Sequence, residues 1–264
     1  MKVQENVMSE VVMDKHRDLS FNSILFCGCS HVYGSDLEAY HRHLHGIEQV
    51  NNVKVVGEHQ SSHRYSRLVA DHYGAQEYNI SKPGISNDHI AAKVVGFVEQ
   101  QSVDLAIVQL THSTRLLSYN DSDKRWEDIM PSEQEYLPSK LRDAKEAFYK
   151  YVYHDRMASM HYWRNVYLLQ EMFRVKGIEY FFFRTCNIPH QKDDLYYPYI
   201  DQTRVFSQTM QEDLALRLHS KYTVPKVKGV TRGNHLNELG HEKVSKYLIN
   251  SIEHFYTHGF QRLS

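Results

Sequence analysis

The chain predicts a doubly wound α/β domain, a three-layer α/β/α sandwich around a central, mostly parallel sheet. Three observations carry that expectation. Short apolar runs alternate with longer amphipathic stretches in the order strand, helix, strand, helix, strand, helices, strand, helix. The strand-like runs are apolar on both faces, as strands covered by helices on both sides must be. No internal repeat or compositional break in the 264 residues demands a second domain.

Each element has its own local reason. "SILFCG" (23–28) is short, continuous and closed by a glycine, as a buried parallel strand should be. The polar, histidine-rich stretch up to about residue 60 reads as an excursion from the fold. "YSRLVADHYG" (65–74) reads as a helix stopped by Gly74. "QEYNIS" (76–81) is a second strand, "KPG" turns the chain, and Ser86 or Asn87 is suited to N-cap the next helix. In that helix Ile90, Val94 and Val98 recur once per turn.

"VDLAIVQL" (103–110) is the clearest strand and belongs at the sheet centre. Residues 114–138 read as loop. Leu141, Ala144, Phe148 and Val152 form one helical stripe, and Tyr162, Val166, Leu169 and Phe173 form the next, ended by Gly177. "IEYFFFRT" (178–185) is a further buried strand. A helix is expected within "FSQTMQEDLALRL" (206–218), and Val244, Leu248, Ile252 and Phe255 mark a long amphipathic helix starting near Asn237. The expected organisation is a polar tail over 1–20 and one domain over 21–264. That domain carries a histidine-rich insertion at about 38–60 and a helical insertion at about 114–176.

Composition narrows the function. Lysine plus arginine (31) nearly balance aspartate plus glutamate (32), and no basic run supplies a nucleic-acid footprint. The first twenty residues lack the apolar core of a signal peptide, and no run approaches a membrane span. Cys27, Cys29 and Cys186 make no disulfide framework and fit a reducing, cytoplasmic setting. In an open α/β sheet, reactive groups gather at the carboxyl ends of the strands. The turns after Gly28, Ile80, Leu110 and Phe183 are therefore expected on one rim.

Four segments resemble the blocks of the SGNH (GDSL) hydrolases, the first three of them on that rim. "GCSHVYG" (28–34) is similar to the first block, with Ser30 at the nucleophile. "NISKPG" (79–84) is similar to the second, with Gly84 at the oxyanion-hole glycine, and "QLTHST" (109–114) stands where the third belongs. "RGNHLNELGH" (232–241) resembles the last block and places the catalytic base at His235. The resemblance implies a flavodoxin-like SGNH hydrolase fold and a serine esterase acting on small acyl esters, such as acetyl groups on carbohydrate, without a cofactor. Ser30 and Gly84, with Ser113, would form the oxyanion hole, and His31, Asn87 and His112 would contact substrate. The chemistry fits this set, because a serine hydroxyl needs a neighbouring imidazole and the oxyanion needs preorganised donors.

The departures shape the expectation further. Cys29 replaces the aspartate usual beside the serine, and Ser113 replaces an asparagine, so Thr111 or His112 is an alternative third donor. Arg232 stands where the family has its acid, three residues before the histidine. A neutral acceptor, a backbone carbonyl, is therefore expected to orient His235, with an acid from elsewhere as the alternative, and turnover is expected to be slow.

Other readings compete. Ser30 alone reads as a helix cap. With no acid at 232, the chain also reads as a catalytically silent module that binds a glycan or acylated ligand. "HRHLH" would put His41, His43 and His45 on one face of a strand, but no cysteine or carboxylate nearby completes a ligand set, so no metal is expected.

Overall fold

The computed structural model describes residues 19–46, 57–132, 137–188, 194–211, 214, 220–227 and 235–258. Five strands form one parallel sheet: β1 (Ser23–Cys27), β2 (Gln76–Asn79), β3 (Leu105–Leu110), β6 (Glu179–Arg184) and β7 (Val205–Thr209). Their order is β2-β1-β3-β6-β7, so β3, buried along its whole length, lies at the centre. The register pairs Phe26 with Asn79 and Ile107, and Leu110 with Arg184. This is the doubly wound α/β class that the sequence predicts.

Period-two alternation divides the core. Leu25, Cys27, Ala106, Val108, Tyr180 and Phe182 face one layer, built from α5 (Asn87–Val98) and α7 (Asp155–Lys176). Ile24, Phe26, Leu105, Ile107, Phe181 and Phe183 face the other, built from α4 (Tyr65–His72) and α8 (Glu238–His258). Every strand residue of "LFC" and "YFFF" therefore meets a helix, which explains why these runs show no polar alternation. Ser86 caps α5 by accepting from the His89 N–H at 3.3 Å. Gly74 and Gly177, with φ of 63° and 66°, end α4 and α7 in the left-handed region.

Three expectations are corrected. Residues 114–138 are not simply loop, because Leu116–Asn120 (β4) and Arg125–Ile129 (β5) pair as an antiparallel hairpin. The start of the helix expected at 206–218 is instead the edge strand β7, whose Phe206 stacks on Phe181 with ring centroids 5.0 Å apart. The rest of that segment lies largely outside the described residues. Of the stripe expected on α6 (Ser139–Tyr151), Leu141 is buried, but Ala144 is exposed and Val152, past the helix end, is 57% exposed. That helix packs on the hairpin through Leu141, and Tyr149 Oη donates to the Thr114 carbonyl at 2.6 Å. The hairpin took the place of the sheet as its partner.

The described residues between β1 and α4 form three helices, α1 (Ser30–Tyr33), α2 (Leu37–Leu44) and α3 (Glu58–His63). "HRHLH" is thus helix, not strand. His41 and His45 share a face while His43 does not, because side chains four apart align on a helix. No helix among the described residues is long and apolar enough to cross a membrane.

Gly28 closes β1 against β3, and a methyl group there would overlap Val32 Cγ2 and sit 2.8 Å from Gln109 Cβ. Gly28→Ala should therefore cost about 1–3 kcal/mol of stability by overpacking. Urea denaturation with an unchanged slope would measure it.

Candidate active site

Ser30 opens α1 directly beyond β1 and is 9% exposed. It is not the helix cap, since that position is held by Cys29, whose side chain makes no capping bond. Cys29 Sγ instead donates to Gln109 Oε1 at 3.5 Å. A residue at the first helical position has an N–H with no partner inside the helix. Gly84, in the turn after β2, has φ 80°, a left-handed conformation that favours glycine. No described carbonyl accepts from the Ser30 or Gly84 amide. Both are donors on the carboxyl rim of adjacent strands.

His235 is held by its own backbone. Its carbonyl accepts from the Val224 N–H at 2.8 Å, beside a bridge between Thr223 and Leu236. Asn237 Oδ1 then accepts from the Gly240 N–H at 3.0 Å and caps α8, as its position in the sequence suggests.

The acid that orients His235 is Asp36. Its Oδ2 lies 2.8 Å from His235 Nδ1, and the two side chains are 12% and 17% exposed. This corrects the expectation of a neutral acceptor. The position expected to carry an acid, Arg232, lies outside the described residues. Asp36 reaches the imidazole because α1 is one turn long and Gly34 and Asp36 both take left-handed backbone, with φ of 79° and 70°. Aspartate tolerates that region better than most residues. A carboxylate on Nδ1 fixes the tautomer, with the proton on Nδ1 and the lone pair on Nε2.

Of the remaining expected residues, His31 adjoins this pair. His31 is 5% exposed and meets the His235 ring edge-on, with centroids 5.5 Å apart. Asn87 is a clamp: its Oδ1 accepts from the Thr111 N–H at 2.8 Å and its Nδ2 donates to the Thr111 carbonyl at 3.1 Å. Its amide therefore joins α5 to the end of β3, which is a reason to assign it positioning rather than substrate contact. His112 lies 3.3 Å from Cys186 Sγ through Nδ1 and 3.2 Å from Gln211 Nε2 through Nε2. Ser113 sits half-buried in the turn that His112 and Arg115 close. The neighbouring Thr111 hydroxyl is buried and has no hydrogen-bond partner among the described residues. Cys27 is no nucleophile, since burial pushes its thiol up to about 12.

Two contributors were missed in the sequence. Asp36 follows Ser30 by six residues, and an acid in the turn after that helix was the available signal. The hairpin is the other. Asp128 on β5 accepts from Ser86 N and Oγ at 2.8 Å each, and Met130 lies 3.7 Å from where a Gly84 side chain would begin. The polar "NDSDK" between two short runs was its turn signal.

No family model matches the sequence, and no curated protein matches it. Among solved structures the chain is similar to the psychrotrophic esterase EstA from Pseudoalteromonas sp., at 12% identity over 89% of this chain and 98% of that one, with TM-score 0.44. It is similar also to Axe2, an acetylxylan esterase from Geobacillus stearothermophilus, at 14% identity over 93% and 98%, with TM-score 0.45.

One buried histidine behind the site is a pH liability. His241 on α8 accepts the Tyr65 N–H, the first amide of α4, on Nδ1 at 3.1 Å. Burial first, then the nearby His235, Arg64 and His63, lowers its pKa from 6.5 to about 3. The folded state keeps it neutral while the unfolded chain protonates it below 6.5, so its contribution is complete above that pH and is lost progressively toward about 3. Stability should fall on acidification from 6.5, and His241→Gln, which retains an acceptor, should fall less steeply in urea midpoints measured across that range.

Proposed function

We propose that the protein is a serine ester hydrolase in which Ser30 is the nucleophile and His235 the general base. The observation that carries this reading is the Asp36–His235 hydrogen bond of 2.8 Å, on the rim that bears Ser30. A histidine with a carboxylate on Nδ1 offers a lone pair on Nε2 and is stabilised once it becomes imidazolium.

In this mechanism His235 Nε2 takes the Ser30 proton as Oγ attacks the acyl carbon. The oxyanion that forms is held by the Ser30 and Gly84 amides, with Ser113 or Thr111 as the candidate third donor. His235 then returns the proton to the departing alkoxide, leaving an acyl-serine. Water, activated by the same imidazole, attacks that ester and releases the acid. None of these steps requires a cofactor. The four sequence blocks are the basis for assigning small acyl esters as the substrate class, with acetylated carbohydrate the form to test first. The silent binding module drew its support from the missing acid, and Asp36 removes that support.

A fluorophosphonate probe should label wild type at Ser30 and leave Ser30→Ala unlabelled, with ester turnover falling by more than about a hundredfold. Labelling elsewhere, or wild-type turnover in a folded Ser30→Ala protein, would reject the assignment.

Asp36→Asn should lower kcat by about 10⁴ with the fold intact, because the amide stabilises the wrong tautomer. A loss below tenfold would mean that Asp36 does not serve the base.

A further inference from the structure

The β4–β5 hairpin follows directly on β3 and comes back to the turn that carries Gly84. Three polar contacts fasten it there. Arg115, just ahead of β4, donates through Nη1 to the Ile85 carbonyl at 3.3 Å. Asp128 on β5 accepts through Oδ1 from the Ser86 N–H and the Ser86 hydroxyl at 2.8 Å each. Its Oδ2 lies 2.6 Å from His89 Nδ1, and a carboxylate only accepts, so that nitrogen carries the proton. Ile85 and Ser86 follow Gly84 immediately, so the hairpin is tied to the turn itself and not to the far end of α5.

Met130 sits among these ties. On one side Asp128 is bound to Ser86, and Ile129 is buried with Leu137 and Leu141 of the hairpin's own small core. Tyr149 Oη, on α6, lies 2.6 Å from the Thr114 carbonyl and 3.3 Å from the Ile129 carbonyl. On the other side Lys145 Nζ donates to the Ser132 carbonyl at 2.7 Å. The backbone is thus anchored two residues before Met130, one before it and two after it. The Met130 methyl carbon stands 3.7 Å from the point where a Gly84 side chain would begin. No other described atom beyond the adjoining residues comes within 4 Å of that point. We propose that Met130 is the wall of the acyl pocket and sets the size of the acyl group admitted beside Gly84.

This inference rests on the proposed role of Gly84 as an oxyanion donor, and it names what that site takes: acetyl-sized acyl groups in preference to longer chains. The acyl substituent is bonded to the same carbon as the oxyanion. An oxygen held on the Gly84 amide therefore brings that substituent close beside Gly84, on the side where Met130 stands. A hydrophobic wall that meets a chain in this way discriminates by about 10–200-fold per methylene. Methionine is unbranched and adaptable, so on a loose loop it would swing aside and select weakly. Here the flanking anchors hold the backbone, and only side-chain torsions are left to yield.

Hydrolysis of p-nitrophenyl acetate, butyrate and octanoate by the full chain tests the inference, read as ratios of kcat/KM. Wild type should favour acetate over butyrate by at least about tenfold. Met130→Ala should raise the butyrate-to-acetate ratio by about tenfold or more, and Met130→Trp should lower it. A merely structural role for Met130 would slow all three esters alike and leave the ratio where it was. An unchanged ratio in Met130→Ala, or a wild type that takes octanoate as readily as acetate, overturns the inference and leaves the Ser30 reading intact. Fluorophosphonate labelling of the same preparations separates the two failures. A wild-type chain that neither labels at Ser30 nor hydrolyses any of the three esters overturns the hydrolase reading and this inference with it.

Discussion

Parallel pairing is the constraint from which everything else in this protein follows. Strands that run the same way must be joined by crossovers, and the crossovers return each strand to the same starting edge. The carboxyl ends of β1, β2, β3, β6 and β7 therefore share one rim. Ser30, Gly84, Thr111 and Cys186 follow four of those ends in turn. Helices cover both faces, so the rim is where backbone amides and polar side chains stay available. The strand order turns around at β1 and β3, and in open α/β sheets that reversal opens the crevice where ligands bind.

On this scaffold the Asp36–His235 contact spans 199 positions in sequence. It depends on two short local devices. One is the single turn of α1 followed by left-handed backbone at Gly34 and Asp36, which brings the acid around beside its own strand end. The other is the bridge between Thr223 and Leu236, which presents His235 just ahead of the capped start of α8. The buried His241 fastens α8 to the first amide of α4 behind them. His235 is thus positioned by packing between α4 and α8, an assembly distant from the Ser30 turn in sequence and adjacent to it in space.

The histidine-rich excursion has the same logic on a smaller scale. Read as a strand, "HRHLH" aligns His41, His43 and His45. Read as a helix, it aligns only His41 and His45 and sets them against a second pair from α3. Changing the period from two to 3.6 changes which side chains can cooperate. Glu238, at the start of α8, hydrogen-bonds His59 of that second pair.

The amino-acid order alone determined the α/β class, four of the five sheet strands, the central place of β3 and the rim that bears Ser30, Gly84 and Ser113. These are properties of local periodicity, strand-ending glycines and handed crossovers, all of which operate over short stretches of chain. Tertiary structure alone decided that Asp36 serves His235, that Asn87 clamps Thr111, that β7 extends the sheet and that α6 packs on a hairpin. Each of those depends on which surfaces meet after the chain folds back over tens to hundreds of residues. Side-chain identity at one position carries no record of the partner that long-range packing will supply.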